Sequence, residues 1–155
     1  LPAQMGDMGG FIGVAMPLVS IAVSLSLGVW LLARMSAVHL VQAGFAVAIV
    51  AAAGLWVFWG QGAAMGFALG VAASLGIVQG ASFAALAELN PAPEARAKAA
   101  GAIAQLGNLG TTTGTPMLVL AMEKAGQTGL ALFLIGFSAL GIAVHAFQAR
   151  RRAQR

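Results

Sequence analysis

Gln105, Asn108 and Thr112 follow one another at intervals of three and four inside a stretch that carries no charge from Ala99 to Met122. On a helix this spacing puts the three side chains on one face. Gln79 is the most deeply placed polar residue of an earlier apolar stretch, and Ser24 shares a face with Ser20 and Leu27 in the first. Amides and hydroxyls among apolar residues can do two things. They can hydrogen-bond a solute inside a water-filled cavity, or they can bond across helices, where each such bond is typically worth about 1 kcal/mol. Ser24, Gln79, Gln105, Asn108 and Thr112 are therefore the candidate cavity residues, with interhelical bonding as the plainer reading.

Other chemistry has less to stand on. No Asp, Glu, Lys or Arg falls in the middle of an apolar stretch, although intramembrane charge is the usual mark of a proton relay. Glu88 is the nearest candidate, but edge charges are cheap, and it reads better as a solvated loop acid or a partner of Arg96. Cysteine is absent and the two histidines, His39 and His145, stand apart. No Ser-His pair, carboxylate pair or metal-ligand cluster is legible, and no lysine follows the glycines as a phosphate-binding loop requires. The expectation is a protein that is not an enzyme, with no cofactor and no bound metal. The methionines and phenylalanines read as packing and lipid contact.

The elements that must position these residues follow from composition. The chain of 155 residues is 60% hydrophobic and 8% charged, with a mean hydropathy of +0.92. A soluble domain is about 25% charged, so there is too little charge here to cover a water-facing surface. Met35–Ala87, Ala99–Met122 and Ala125–Ala149 contain no Asp, Glu, Lys or Arg. Each is long enough for at least one helix of about 20 residues, the length that crosses a bilayer core. Apolar and polar residues do not alternate, so the spans read as helices instead of barrel strands.

Five spans are predicted, over 10–33, 38–59, 63–87, 99–122 and 128–147. Pro17 lies within the first. Trp56, Phe58 and Trp59 close the second as an interfacial aromatic belt, and Gly60-Gln61-Gly62 reads as a tight turn. In the third, Gly62, Gly66, Gly70 and Ser74 recur every four residues, continued by Gly76 and Gly80, a spacing that lets helices approach closely. A polar loop over 88–98 follows. In the fourth, Gly110 and Gly114 form another close-packing pair, and Pro116 removes one helical donor, which predicts a bend. Glu123 to Gly126 makes a second short turn, and a basic tail occupies 150–155.

With five spans, Arg34, Arg96, Lys98, Arg150, Arg151, Arg152 and Arg155 collect on one side, against Lys124 alone on the other. The excess of bases marks the cytoplasmic side, so the C-terminus is expected there. The net charge of +4 is thus a matter of membrane orientation and not of nucleic-acid binding. The opening LPAQMGDMGG lacks the basic region of a signal peptide, and a chain that starts on Leu is expected to be a fragment or a processed product.

Glu88, Pro91, Glu94-Ala95-Arg96 and Gly101 together resemble the cytoplasmic loop between the fourth and fifth helices of each half of major facilitator superfamily transporters. Gly76-Ile77-Val78-Gln79-Gly80 fits the helix leading there. Gly101, Gly110, Gly114 and Pro116 resemble the glycine-proline motif of the fifth helix, associated with antiporters, although Thr115 precedes the proline and Met117-Leu118 stand where Gly-Gly follows it. Gly28 and Arg34 match the family's earlier cytoplasmic loop motif, without its acid and basic cluster. The absence of an arginine in the third span and the basic ending favour spans 8–12, the C-terminal half.

The resemblance implies an all-α membrane protein of about five transmembrane helices, a partial major-facilitator bundle. It further implies a secondary transporter in a bacterial inner membrane that moves a small solute. Its missing partner would be the N-terminal half or an oligomeric copy. In that family the second, fourth and fifth helices of a half line the cavity, which here means the first, third and fourth spans. The alternative is a non-transporting helical subunit, a scaffold in a larger complex.

Overall fold

The computed structural model describes residues 8–154, and it is helical with no strand among them. The opening seven residues and Arg155 lie outside the described residues. α1 (Met8–Val23) runs through Pro17, passes into one π-helical turn at Ser24–Gly28 and continues as α2 (Val29–Leu32). α3 spans Ala37–Val57, α4 Ala63–Leu89 and α5 Pro93–Ala153. Four helices are long and apolar enough to cross a membrane: Gly13–Leu32, Ala37–Val57, Ala63–Leu89 and Pro93–Arg152.

α4 is the centre of the bundle. Phe58 to Gly62, with Gly60 at φ 78°, turns the chain from α3 back along α4. The two helices then lie antiparallel with small residues between them. Leu55 packs with Ala64 and Ala68, Ala51 and Ala52 with Val71, Leu40 and Val41 with Ala81, and Ala37 and Val38 with Ala85. In lipid no hydrophobic force draws helices together, so side chains this small matter because they let the backbones come close enough for dispersion contact. On its other flank α4 takes α1 in parallel. Ser20 lies against Gly76 and Ser24 against Gly80.

The polar stretch expected as a loop over 88–98 is only a short connection. α4 ends at Leu89, Asn90 follows in non-helical backbone, and α5 begins at Pro93. Proline suits the first helical position, where its missing N–H would have had no partner. Glu94 and Lys98 then face each other one turn apart, 2.8 Å between the charged atoms.

α5 breaks once. Gly126 has φ 55°, ψ −136°, which no helix contains. In an unbroken helix Leu118 and Leu134 would stand about 24 Å apart. Instead both pack on the cluster of Leu55, Ala64, Ala68 and Leu130, and the Ala121 carbonyl touches Gly129. The chain therefore reverses at Gly126 into two arms, 93–125 and 127–153. The second arm lies antiparallel to α3. Trp56 donates its indole N–H to the Thr128 hydroxyl at 3.1 Å, and Phe45 meets Gly141 and His145 further along. Pro116 sits within the first arm, and the break in helical dihedrals falls beyond it, at the glycine.

These pairings fix the two ends of the bundle. The Glu88 carboxylate accepts the Ala37 backbone N–H at 2.9 Å, tying the end of α4 to the start of α3. Ser36 caps the same helix start by accepting from the His39 N–H. Arg34, Arg96, Lys98 and Arg150 to Arg152 all belong to this end. The Phe58–Gly62 and Gly126 turns, with Lys124, belong to the other.

Candidate functional site

Between the C-terminal half of α4 and the first arm of α5 runs a groove of about 760 Å³. Its α4 wall descends from Asn90 through Leu89, Leu86 and Phe83 to Gln79. The opposite wall runs from Ile103 and Ala104 through Gly107 to Asn108 and Thr111, and His145 of the second arm closes part of the back. A smaller cleft of about 260 Å³ lies between α1 and α4, lined by Ser20, Ser24, Gly76, Gln79 and Gly80. Gln79 and Phe83, one turn apart on α4, line both cavities, and Gln79 is the polar one of the two.

Several of the groove's polar groups are already turned back on their own helices. The Ser82 hydroxyl donates to the Val78 carbonyl at 2.7 Å, Thr111 to Gly107 at 3.0 Å, and the Asn90 amide to Leu86 at 3.1 Å. What remains for a bound molecule is chiefly the amides of Gln79 and Asn108 and the imidazole of His145. No charged residue lines either cavity. Arg96 stands at the groove's loop end, where its guanidinium donates to the carbonyls of Asn90 and Pro91, each at 3.4 Å. A mostly apolar trough with a few amides can hold a neutral or amphipathic molecule by shape and one or two hydrogen bonds.

The candidate residues separate accordingly. Gln79 and Asn108 face each other's helices across the groove, and Ser24 faces Gln79 in the smaller cleft. Gln105 and Thr112 are exposed on the first arm and line neither cavity. The groove face of that arm is the 104, 107, 108 and 111 row, with Asn108 at its edge. Residues 105 and 112 lie on the far side of that edge, about 100° round the helix from 104 and 111. Thr111 takes the place assigned to Thr112, whose own carbonyl is the one that Pro116 leaves without its helical donor. Thr111, Ser82, Asn90 and His145 join the site although their spacing did not single them out. Thr111 and Ser82 did carry a signal, each three residues beyond an amide, Asn108 and Gln79.

The glycines separate too. At Gly70 an added Cβ would stand 3.4 Å from that of Ala51, an ordinary contact, whereas at Gly66, Gly110 and Gly114 it would meet nothing within 4 Å. Of the glycines in these repeats the close approaches are made by Gly76 and Gly80, and on α3 Gly44 and Gly54 make their own against Val78 and Phe67 of α4. Glu88 serves α3 and not Arg96, while Arg34 lies 3.7 Å over the Trp30 ring and donates to the Trp30 carbonyl. Among the described residues no group of three or more His, Cys, Asp or Glu is placed to hold a metal ion. Comparison of the chain with protein family models, curated proteins and solved structures finds no match.

Proposed function

We propose that this chain is part of a secondary transporter of the major-facilitator type, moving a small solute across a bacterial inner membrane by alternating access. The observation that carries this reading is the position of Gln79, an amide on α4 that lines both clefts. In a membrane helix an amide is placed at a cost, and a position lining open space suits solute contact better than helix adhesion. Gln79 and Asn108 are the solute contacts in this reading, with Ser24 reached from the smaller cleft. Gln105 and Thr112 enter the cavity only if the first arm turns about its axis during the transport cycle.

The same reading takes the two arms of α5 as separate crossings, five in all. An arm of about 30 residues is long enough to cross, whereas a straight helix of 61 residues would be about 90 Å long, some three times the bilayer core. The basic end is then cytoplasmic, with the C-terminus on that side. The rest of the cavity comes from an N-terminal half or from a second copy.

One observation favours the scaffold reading instead: Gly101, Gly107, Gly110 and Gly114 face open space along one arm, as they would if a partner helix covered them. Uptake separates the two. The protein, purified with whatever assembles with it, is reconstituted into proteoliposomes and screened against labelled solutes. Transport predicts accumulation of at least one solute. Gln79→Ala and Asn108→Ala should each lower it about tenfold, the loss of roughly one hydrogen bond, with little change in folded yield. A full screen with no accumulation, or transport indifferent to both substitutions, counts against this reading.

A further inference from the structure

The groove and the bases at its end form a second kind of site. The wall from Leu89 through Leu86 to Phe83, facing Ile103 and Ala104, is apolar and open sideways, with Phe83 and Leu89 each more than two-fifths exposed. In a bilayer, whatever part of that opening no partner helix covers faces lipid. At the loop end stands Arg96, anchored on the carbonyls of Asn90 and Pro91, and Asn90 itself lines the groove. Arg152 lies seven residues beyond His145, two turns on and on the same helix face, about 10 Å further toward that end. Arg151 is held over the Phe147 ring at 4.5 Å, with Arg150 beside it in the last turn of α5.

Neither acid at this end pairs with an arginine. Glu94 pairs with Lys98, the only ion pair among the described residues, and Glu88 accepts from Ala37. An apolar trough with arginines at its end that form no ion pair among the described residues matches an amphiphile with an anionic head. The bilayer supplies such molecules at the right depth and orientation, and basic pockets between membrane helices are known to take anionic head groups.

We propose that the groove between α4 and the first arm of α5 binds an anionic phospholipid of the surrounding leaflet. Its phosphate sits at Arg96 and Arg152, and one acyl chain lies along Leu89, Leu86 and Phe83. Gln79 and Asn108 lie deeper, past the end of this stretch, so the site does not depend on transport.

The test is lipid retention by the full chain in detergent, read by native mass spectrometry with equal added phosphatidylglycerol and phosphatidylcholine. The unaltered protein should retain phosphatidylglycerol about tenfold over phosphatidylcholine, and raising the salt from about 0.1 M to about 1 M should erase most of that preference. The double variant R96Q/R152Q should lose the preference, whereas Ala104→Trp, which fills the trough, should lower retention of both lipids. Equal retention of the two lipids by the unaltered protein would overturn the proposal. So would phosphatidylglycerol binding unmoved by R96Q/R152Q or by Ala104→Trp. If either variant fails to fold, the preference and salt series on the unaltered protein decide.

Discussion

Gly76→Leu is expected to separate α1 from α4 and to cost more than about 3 kcal/mol, beyond the usual range for overpacking a core. A Cβ at this position would press directly on the Ser20 carbonyl oxygen and stand 2.7 Å from the Ser20 hydroxyl. Those atoms cannot move aside cheaply. The carbonyl belongs to the backbone of α1, and a leucine would have to push the whole helix outward. The adjoining Ser24–Gly80 contact, where the hydroxyl would lie 2.5 Å from an added Cβ, would open with it. The smaller cleft between the two helices would go, and with it Ser24's approach to Gln79. Thermal unfolding in detergent, followed by circular dichroism, should show a fall in midpoint of ten degrees or more, about what such a loss implies for a chain of this size. Gly110→Leu is the matched control. It adds the same side chain to open space and should not destabilise, since leucine is the better helix former by about 0.8 kcal/mol. Equal midpoints for Gly76→Leu and the unaltered protein would mean that α1 does not pack on α4 in this register.

Gly126→Val should be nearly as damaging, for a different reason. The reversal between the two arms of α5 rests on one residue at φ 55°, ψ −136°. Glycine reaches that region freely, whereas a β-branched side chain clashes with its own backbone there. Strain of this kind costs roughly 1–3 kcal/mol, and valine should fall at the upper end. The relevant readout is stability together with the Trp56–Thr128 hydrogen bond, which lies at the turn and should weaken first. Loss of quenching or a shifted emission of Trp56, in a variant with the other two tryptophans replaced by Phe, reports it. If Gly126→Val is as stable as the unaltered protein, the reversal does not depend on the glycine's conformation, and the arms are held by packing alone.

Much of the helical layout was legible because the signals were local. The charge-free stretches predicted apolar helices over 38–59 and 63–87, and the structure has them at Ala37–Val57 and Ala63–Leu89 around a turn carried by Gly60. The polar stretch 88–98 was harder to read. Its charges suggest a loop, but Pro93 starts a helix and Glu94 and Lys98 stabilise its first turn from side to side. The π-helical turn at Ser24–Gly28 left no mark in the sequence, since an inserted residue in a helix changes the backbone without changing residue type.

The site was only partly legible, for reasons of helix phase and partnership. Spacing of three and four identifies a face, and Gln105, Asn108 and Thr112 do share one. It does not say which flank of that face a neighbour covers, and a rotation of about 100° decides between Thr112 and Thr111. The glycines teach the same lesson. Gly76 and Gly80 meet α1, while Gly110 and Gly114, at the same interval, meet nothing among the described residues. A small residue permits close approach, and only the rest of the fold determines whether a helix arrives.

The central claim is that Gln79 and Asn108 border a water-accessible cavity between membrane helices, and the absence of cysteine makes it directly testable. Single-thiol variants Gln79→Cys, Asn108→Cys and Leu120→Cys are incorporated in membrane vesicles and exposed to a membrane-impermeant maleimide from each side in turn. Leu120 is about half exposed on the same arm as Asn108 and serves as the lipid-facing reference. A water-filled cavity predicts labelling of Asn108→Cys and Gln79→Cys at least about tenfold faster than Leu120→Cys, because maleimide needs thiolate and thiolate forms only in contact with water. Labelling of all three at the same slow rate would place both amides in lipid or in dry helix contact and would contradict the account.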